Sequence, residues 1–281
     1  MKSIFLKSIF FLIISLFICS KLYAYVLTGS HIFSLLPEKT GKIKKVIISQ
    51  KKFVYGETSG ENSPVEISEK LMFSPPDNLR SESTYENNEK IHIRTSSNFV
   101  TVINGMIANE TQSKFEGYTD FILYRSRPLL EQSLILRGVN LSISSLGRFQ
   151  DMIAFIIGSD YLNLSNPQLW VEKNNFTPIR WIIEGNTTEK SEPVREVRYL
   201  QWSQIDKQVW YPMVIEFYSN GNKVQEIAVI SIDTKPTFSD DIFNIPAIIS
   251  KYPKQDIGVP TEINKENEID KKLENFKNLF D

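Results

Sequence analysis

A single cysteine, Cys19, stands among 281 residues, so no intrachain disulfide framework and no multi-cysteine zinc site can be assembled. Histidine is nearly as scarce. His31 and His92 lie far apart in the chain, there is no His-x-x-His spacing, and no G-x-S-x-G elbow occurs. A metal site and a nucleophile with a histidine base therefore lack their constellation, and no cofactor, metal or catalytic residue is expected. An excess of one charge is missing as well: 32 basic residues face 33 acidic ones, which leaves no electrostatic footprint for nucleic acid. A hydrophobic content of 41% with 23% charged residues is ordinary for a globular protein and argues against disorder.

Long apolar runs are absent except at the N-terminus. Lys2 and Lys7 precede the apolar stretch 9–19, and Ser20 to Ala24 follow it as a small, polar exit, the layout of a secretory signal peptide cut after Ala24. The rival reading is an uncleaved anchor, for which an apolar run interrupted by Lys7 is short against the roughly 20 residues of a span. Cys19 follows bulky Ile18 where a lipobox needs a small residue, so it reads as part of the apolar segment. Cleavage removes Lys2, Lys7 and Lys21, taking the net charge from −1 to −4, and removes the cysteine. The exported domain, residues 25–250, then depends on its core alone, which about 250 residues can provide.

That domain reads as mainly β. The stretch 168–181 is a hairpin: Leu169 and Val171 alternate with Trp170 and Glu172, Lys173 to Asn175 turn, and Ile179, Trp181 and Ile183 restart an apolar face of period two. Pro178 has no N–H for a ladder and predicts a bulge, a strand start or an edge. Further strands are expected over 43–55, 65–73, 79–85, 90–95, 99–104, 194–202, 209–218 and 224–233, at the spacing of an antiparallel meander. Leu71 and Phe73 share one face, as do Ile91 and Ile93, while His92 and Arg94 point to the opposite, wet one.

A helical insert interrupts the strands. Pro128 and the glycine at 138 bracket a helix carrying Leu130 and Leu134 on one stripe, Asn140 is placed to cap a second helix through 145–149, and 152–157 suits a buried strand. Residues 31–39 suggest one helical turn at the sheet edge, and 238–246 the last segment of the fold. The tail 251–281 is polar, with Ile269, Leu273, Phe276 and Phe280 at helical intervals.

Taken in order, the apolar leader, the hairpin from Leu169 through Lys173 to Arg180, the Trp210-Tyr211-Pro212 strand and the closing run Ser239 to Pro246 resemble the outer-membrane lipoprotein-sorting proteins of the LolA-like superfamily, over roughly 42–246. The resemblance implies an open, incomplete antiparallel β-barrel of about eleven strands closed by a helical lid, in a periplasmic monomer without enzymatic activity. It implies lipid or acylated protein cargo, exchanged with an inner-membrane transporter or an outer-membrane acceptor. Leu71, Phe73, Leu79, Ile91, Ile93, Phe99, Leu130, Leu134, Trp170 and Trp181 are the residues expected to line its apolar cavity, and Arg80 takes the position of the arginine that sets lid opening. A sixteen-carbon chain hides roughly 12 kcal/mol of apolar surface at about 0.8 kcal/mol per methylene, so it crosses water only inside a carrier. An envelope sensor or protein-interaction module on the same fold, without lipid transfer, is the alternative.

Overall fold

A computed structural model describes residues 26–55, 64–96, 98–108, 115–161, 163–184, 194–207 and 209–254. The leader 1–24 and the tail beyond 254 lie outside the described residues, and so do the expectations made for them.

One helix opens the described chain, α1 (Gly29–Thr40). Thr28 caps it by accepting from the His31 N–H, and Gly41, at φ 82°, ends it by returning its N–H to Pro37 O. The expected single turn is thus a full helix, buried through Ile32, Phe33 and Leu36. Six strands follow: β1 (Val46–Val54), β2 (Val65–Ser74), β3 (Asn78–Tyr85), β4 (Asn88–Thr95), β5 (Asn98–Ile103) and β6 (Met106–Ala108). A 3-10 turn, Glu116–Thr119, leads into α2 (Asp120–Leu123), and α3 (Arg127–Leu136) begins with Pro128 in its first turn. The second half comprises β7 (Ser144–Phe149), β8 (Met152–Ile157), β9 (Gln168–Glu172), β10 (Pro178–Glu184), β11 (Arg195–Asp206), β12 (Val209–Ser219) and β13 (Asn222–Asp233), then a 3-10 turn, Asp240–Phe243, and α4 (Ile245–Lys251).

All thirteen strands belong to one antiparallel sheet in the order β6-β5-β4-β3-β2-β1-β13-β12-β11-β10-β9-β8-β7. β6 and β7 are its two edges and do not pair, so the barrel is open as expected, with more strands than the resemblance implies. The sheet nevertheless curls. Asp120 reaches Arg94 on β4 at 2.6 Å while its neighbour Phe121 stacks on Trp181 of β10 with ring centroids 4.9 Å apart. Those strands are seven ladder steps apart, about 34 Å in a flat sheet at ~4.8 Å per step. A four-residue helix touches both because the sheet wraps around it. The helices α1, α2 and α3 occupy this inner face and join it in one continuous core.

Pro178 starts β10 opposite Val171, with a register shift before Arg180, so the bulge-or-start expectation holds and the strand remains paired on both sides. The second insert helix expected after Asn140 does not form. Ser144–Phe149 is instead an edge strand in a hairpin with β8, turned by Gln150 and Asp151 at φ 45° and 65°. Two consecutive left-handed residues give the tight turn that matches strand twist, which Asn104-Gly105 and Asn220-Gly221 also make elsewhere in the sheet. On the outer face, Phe243 and Ile245 cover Met72, Ile93 and Val100, while Lys45 holds Asp240 at 2.9 Å. No helix among the described residues is long and apolar enough to cross a membrane, which leaves spans made of strands unaddressed.

Candidate functional site

Cross-strand register decides which expected residues meet. Leu71, Ser81, His92 and Thr101 form one row across β2 to β5, and Phe73, Leu79, Arg94 and Phe99 the next. Both rows face inward, because Leu71, Phe73 and Leu79 belong to the core that contains the helices. Leu130, Leu134 and Trp181 join them there, so six of the ten expected lining residues come together. Phe99, 40% exposed, lies at the rim of the same face. Ile91 and Ile93 alternate to the outer face under α4. Trp170 is also outside, beside Phe149 and under the Arg180 guanidinium. Arg80 stands on the outer face too, paired with Glu82 and donating to Ile242 O at 3.0 Å, so it ties the C-terminal segment to the sheet.

Inward placement of His92 and Arg94 corrects the expectation that they line a wet face. Their charges are met by residues of the insert. Asp120, whose side chain is 4% exposed, accepts from Arg94 Nη2 at 2.6 Å, from Ser133 Oγ at 2.8 Å and from Arg137 Nη2 at 2.9 Å. His92 contacts Glu116 through Nε2 and Thr101 through Nδ1, both at 2.9 Å. A carboxylate only accepts, so Nε2 carries a proton and donates to Glu116. Arg94, Glu116, Asp120, Ser133 and Arg137 line a cleft of about 560 Å³, bounded by Asp77, Tyr124 and Phe99 and by Leu129, Gln132 and Leu136 of α3. Leu136 is 76% exposed, so the polar cleft carries an apolar lip.

The electrostatics of the cleft follow from pairing against burial. Burial pulls the Arg94 pKa down, yet Asp120, with Tyr124 and Glu116, outweighs it and holds the guanidinium above its usual range. For Glu116 burial pushes up, and the His92 hydrogen bond and charge, with Arg94 and Lys90, bring the carboxyl below its ordinary value. Tyr124 is pushed up to about 12 by burial and by Asp120. Deeper on the inner face, Glu69 accepts from Ser81 at 2.5 Å and from Gln50 at 2.6 Å. Burial raises its pKa, but Lys52 and the hydrogen bonds from Ser81, Gln50 and Ser83 together lower it. One end of the inner face is therefore polar, with Arg94, Glu116 and Glu69 each held in the charged form by their partners, and the remainder is apolar.

Alternation along β4 was visible in the sequence, but which side faced the insert was not. The Asp120 pairings join residues 26 and 17 positions apart on different elements, and no local spacing encodes them. Among the described residues, no group of three or more His, Cys, Asp or Glu side chains could hold a metal ion.

No family model matches the sequence, and no curated protein matches it. Solved structures do. A DUF1329 family protein from Desulfovibrio piger is similar over 78% of this chain and 97% of its own, at 10% identity and a TM-score of 0.51, which shows a shared fold. A domain named for outer membrane lipoprotein sorting from Vibrio parahaemolyticus matches over the same shares at 8% identity and a TM-score of 0.49. A LolA superfamily protein from Nitrosomonas europaea matches over 78% of this chain and 98% of its own, at 10% identity and a TM-score of 0.43. The second and third of these bear the names to which the sequence resemblance pointed.

Proposed function

We propose that this chain is an exported, periplasmic binding protein that carries an acyl-bearing ligand, a lipid or a lipid-modified protein, on the inner face of its curled sheet, in outer-membrane biogenesis. The observation that carries the reading is the construction of the inner face. It is apolar along β1 and from β13 back to β8, and three short helices cover it and share its core. Such a cover can be exchanged for another apolar body of similar area, as a fused core of strands cannot. One structural neighbour, from Vibrio parahaemolyticus, is itself named for outer membrane lipoprotein sorting. Delivery involves an inner-membrane transporter or an outer-membrane acceptor, and the chain works as a monomer without catalysis. Control of the cover falls to the Arg94–Asp120–Arg137 ion pairs, which join β4 to α2 and α3.

The test is mass spectrometry of organic extracts from the mature chain, residues 25–281, purified without detergent from a bacterial periplasm. Stoichiometric phospholipid or acylated peptide is expected, and delipidated protein should rebind acyl chains saturably. Protein that is folded and monomeric but has no acyl affinity would sink the carrier reading in favour of an envelope sensor or interaction module.

A further inference from the structure

Buried guanidiniums in this fold are matched to carboxylates: Arg80 to Glu82, Arg94 and Arg137 to Asp120, Arg180 and Arg198 to Glu196. Arg125 breaks the pattern. It stands in the connection between α2 and α3, and its Nη2 donates to Ile122 O at 2.7 Å and to Trp210 O at 2.9 Å. Its Nε and Nη1 are buried and have no acceptor, and no carboxylate among the described residues pairs with it. Beside it Tyr211, 1% exposed, has a buried hydroxyl that is also without a partner. The surroundings are the apolar core of the inner face, where Tyr199, Tyr211, Ile215 and Phe217 pack. An arginine Nε carries one N–H and Nη1 two, so three charged donors and a phenol are buried with nothing to receive them.

Such an arrangement is costly. A buried donor without an acceptor forfeits its hydration, and a buried charge without a counter-ion forfeits more. Burial accordingly pulls the Arg125 pKa down to about 9, with Tyr211 opposing, and pushes the Tyr211 hydroxyl well above its ordinary value. The two carbonyl contacts show why the residue is not merely a helix cap. They occupy one nitrogen and orient the guanidinium, leaving the other two turned elsewhere. What would satisfy the remainder is a compact group with several acceptor atoms and a negative charge, arriving from outside the chain.

We propose that Arg125 and Tyr211 hold the oxyanion headgroup, carboxylate or phosphate ester, of the acyl-bearing ligand whose chain lies against the inner face. The assignment rests on the carrier reading and adds to it a ligand class: an amphiphile with an anionic end buried inside the protein. Uncharged acyl esters bury the same chain but leave the guanidinium unmet, so the site discriminates by charge where the apolar face cannot.

The experiment compares delipidated mature chain binding to palmitoleic acid, to its methyl ester and to palmitoleoyl lysophosphatidic acid, by isothermal titration at pH 7.5 below the micellar range. The wild type is expected to prefer at least one anionic ligand over the ester by tenfold or more, and the tighter of the two anions identifies the carboxylate or phosphate source. Arg125→Met should abolish that preference while leaving ester affinity within about twofold, and should leave the thermal midpoint of the ligand-free protein unchanged or higher, since an unmatched buried charge is removed. Tyr211→Phe, which deletes only an unpartnered hydroxyl, should weaken the anion several-fold and serves if the first variant does not fold. Equal affinity for acid, ester and lysophosphatidic acid overturns the proposal and leaves the carrier reading standing, with water on Arg125. Undiminished anion binding by Arg125→Met or Tyr211→Phe also overturns it. Binding of none of the three by the wild type overturns the carrier reading itself.

Discussion

Asp120 holds two guanidiniums while its own side chain is almost removed from solvent, so a change there tests the electrostatics of the cleft directly. Asp120→Asn keeps the volume and removes the charge, leaving Arg94 and Arg137 facing an amide. The expected loss is about 3–5 kcal/mol, the cost of breaking a buried pair by removing one partner, read as a lower urea midpoint with an unchanged slope. A loss under about 1 kcal/mol would mean that solvent already screens the cluster. Glu69 and Glu116 make a second statement about this region. Their folded pKa values lie below the ordinary 4.5, so each contributes stability that is present above about pH 4.5 and lost as pH falls through its folded value. Thermal melts between pH 7 and 3 should show the midpoint falling below about pH 4.5, and Glu69→Gln should flatten that acid limb while costing stability at pH 7. An acid limb of the same depth in Glu69→Gln would assign it to other carboxylates.

At the scale of elements, the C-terminal segment behaves as an outer-face clasp over β2 to β5. Phe243 and Ile245 supply its apolar grip, while Arg80 and Lys45 supply its polar one. Phe243→Ala is expected to cost about 3 kcal/mol and to reduce hydrogen-exchange protection in β4 and β5 more than in β9 and β10, which the clasp does not touch. Uniform loss across the sheet would instead make the clasp part of a single cooperative unit. The same elements show what the sequence could and could not say. Strands with alternating apolar residues were legible because their signal is local, and Pro178 predicted its own irregularity at the start of β10. The Ser144–Phe149 strand was misread as a helix because Gln150-Asp151 makes an Asn-Gly-type turn without the residues that announce one. Ile91 and Ile93 looked like cavity residues because periodicity gives two faces and does not label them. Both faces of β4 are covered, the outer by the clasp and the inner by charged partners 24 and 26 residues away.

Considered as one body, the proposed carrier has to reconcile a filled interior with the binding of a long chain. A sixteen-carbon chain gains roughly 12 kcal/mol on leaving water. Lifting the helices exposes Ile32, Phe33, Leu36, Phe121, Leu130 and Leu134, each fully buried, at about 1.5–3 kcal/mol per side chain, or about 9–18 kcal/mol together. The two quantities are comparable, so exchange of helix for chain is feasible only if the helices open as a unit while the sheet stays intact. The ion pairs at Asp120 raise the cost of that opening, and a ligand whose anionic end meets Arg125 lowers it. Native-state hydrogen exchange of delipidated protein should therefore find the amides of α1 and α3 opening together at a lower free energy than those of β1, β12 and β13, and Asp120→Asn should lower the helix value further than the sheet value. Saturating acyl ligand should slow exchange in the sheet strands that line the inner face. If helices and central strands instead share one opening free energy in every sample, the helices are a permanent plug, and the inner face carries stability rather than cargo.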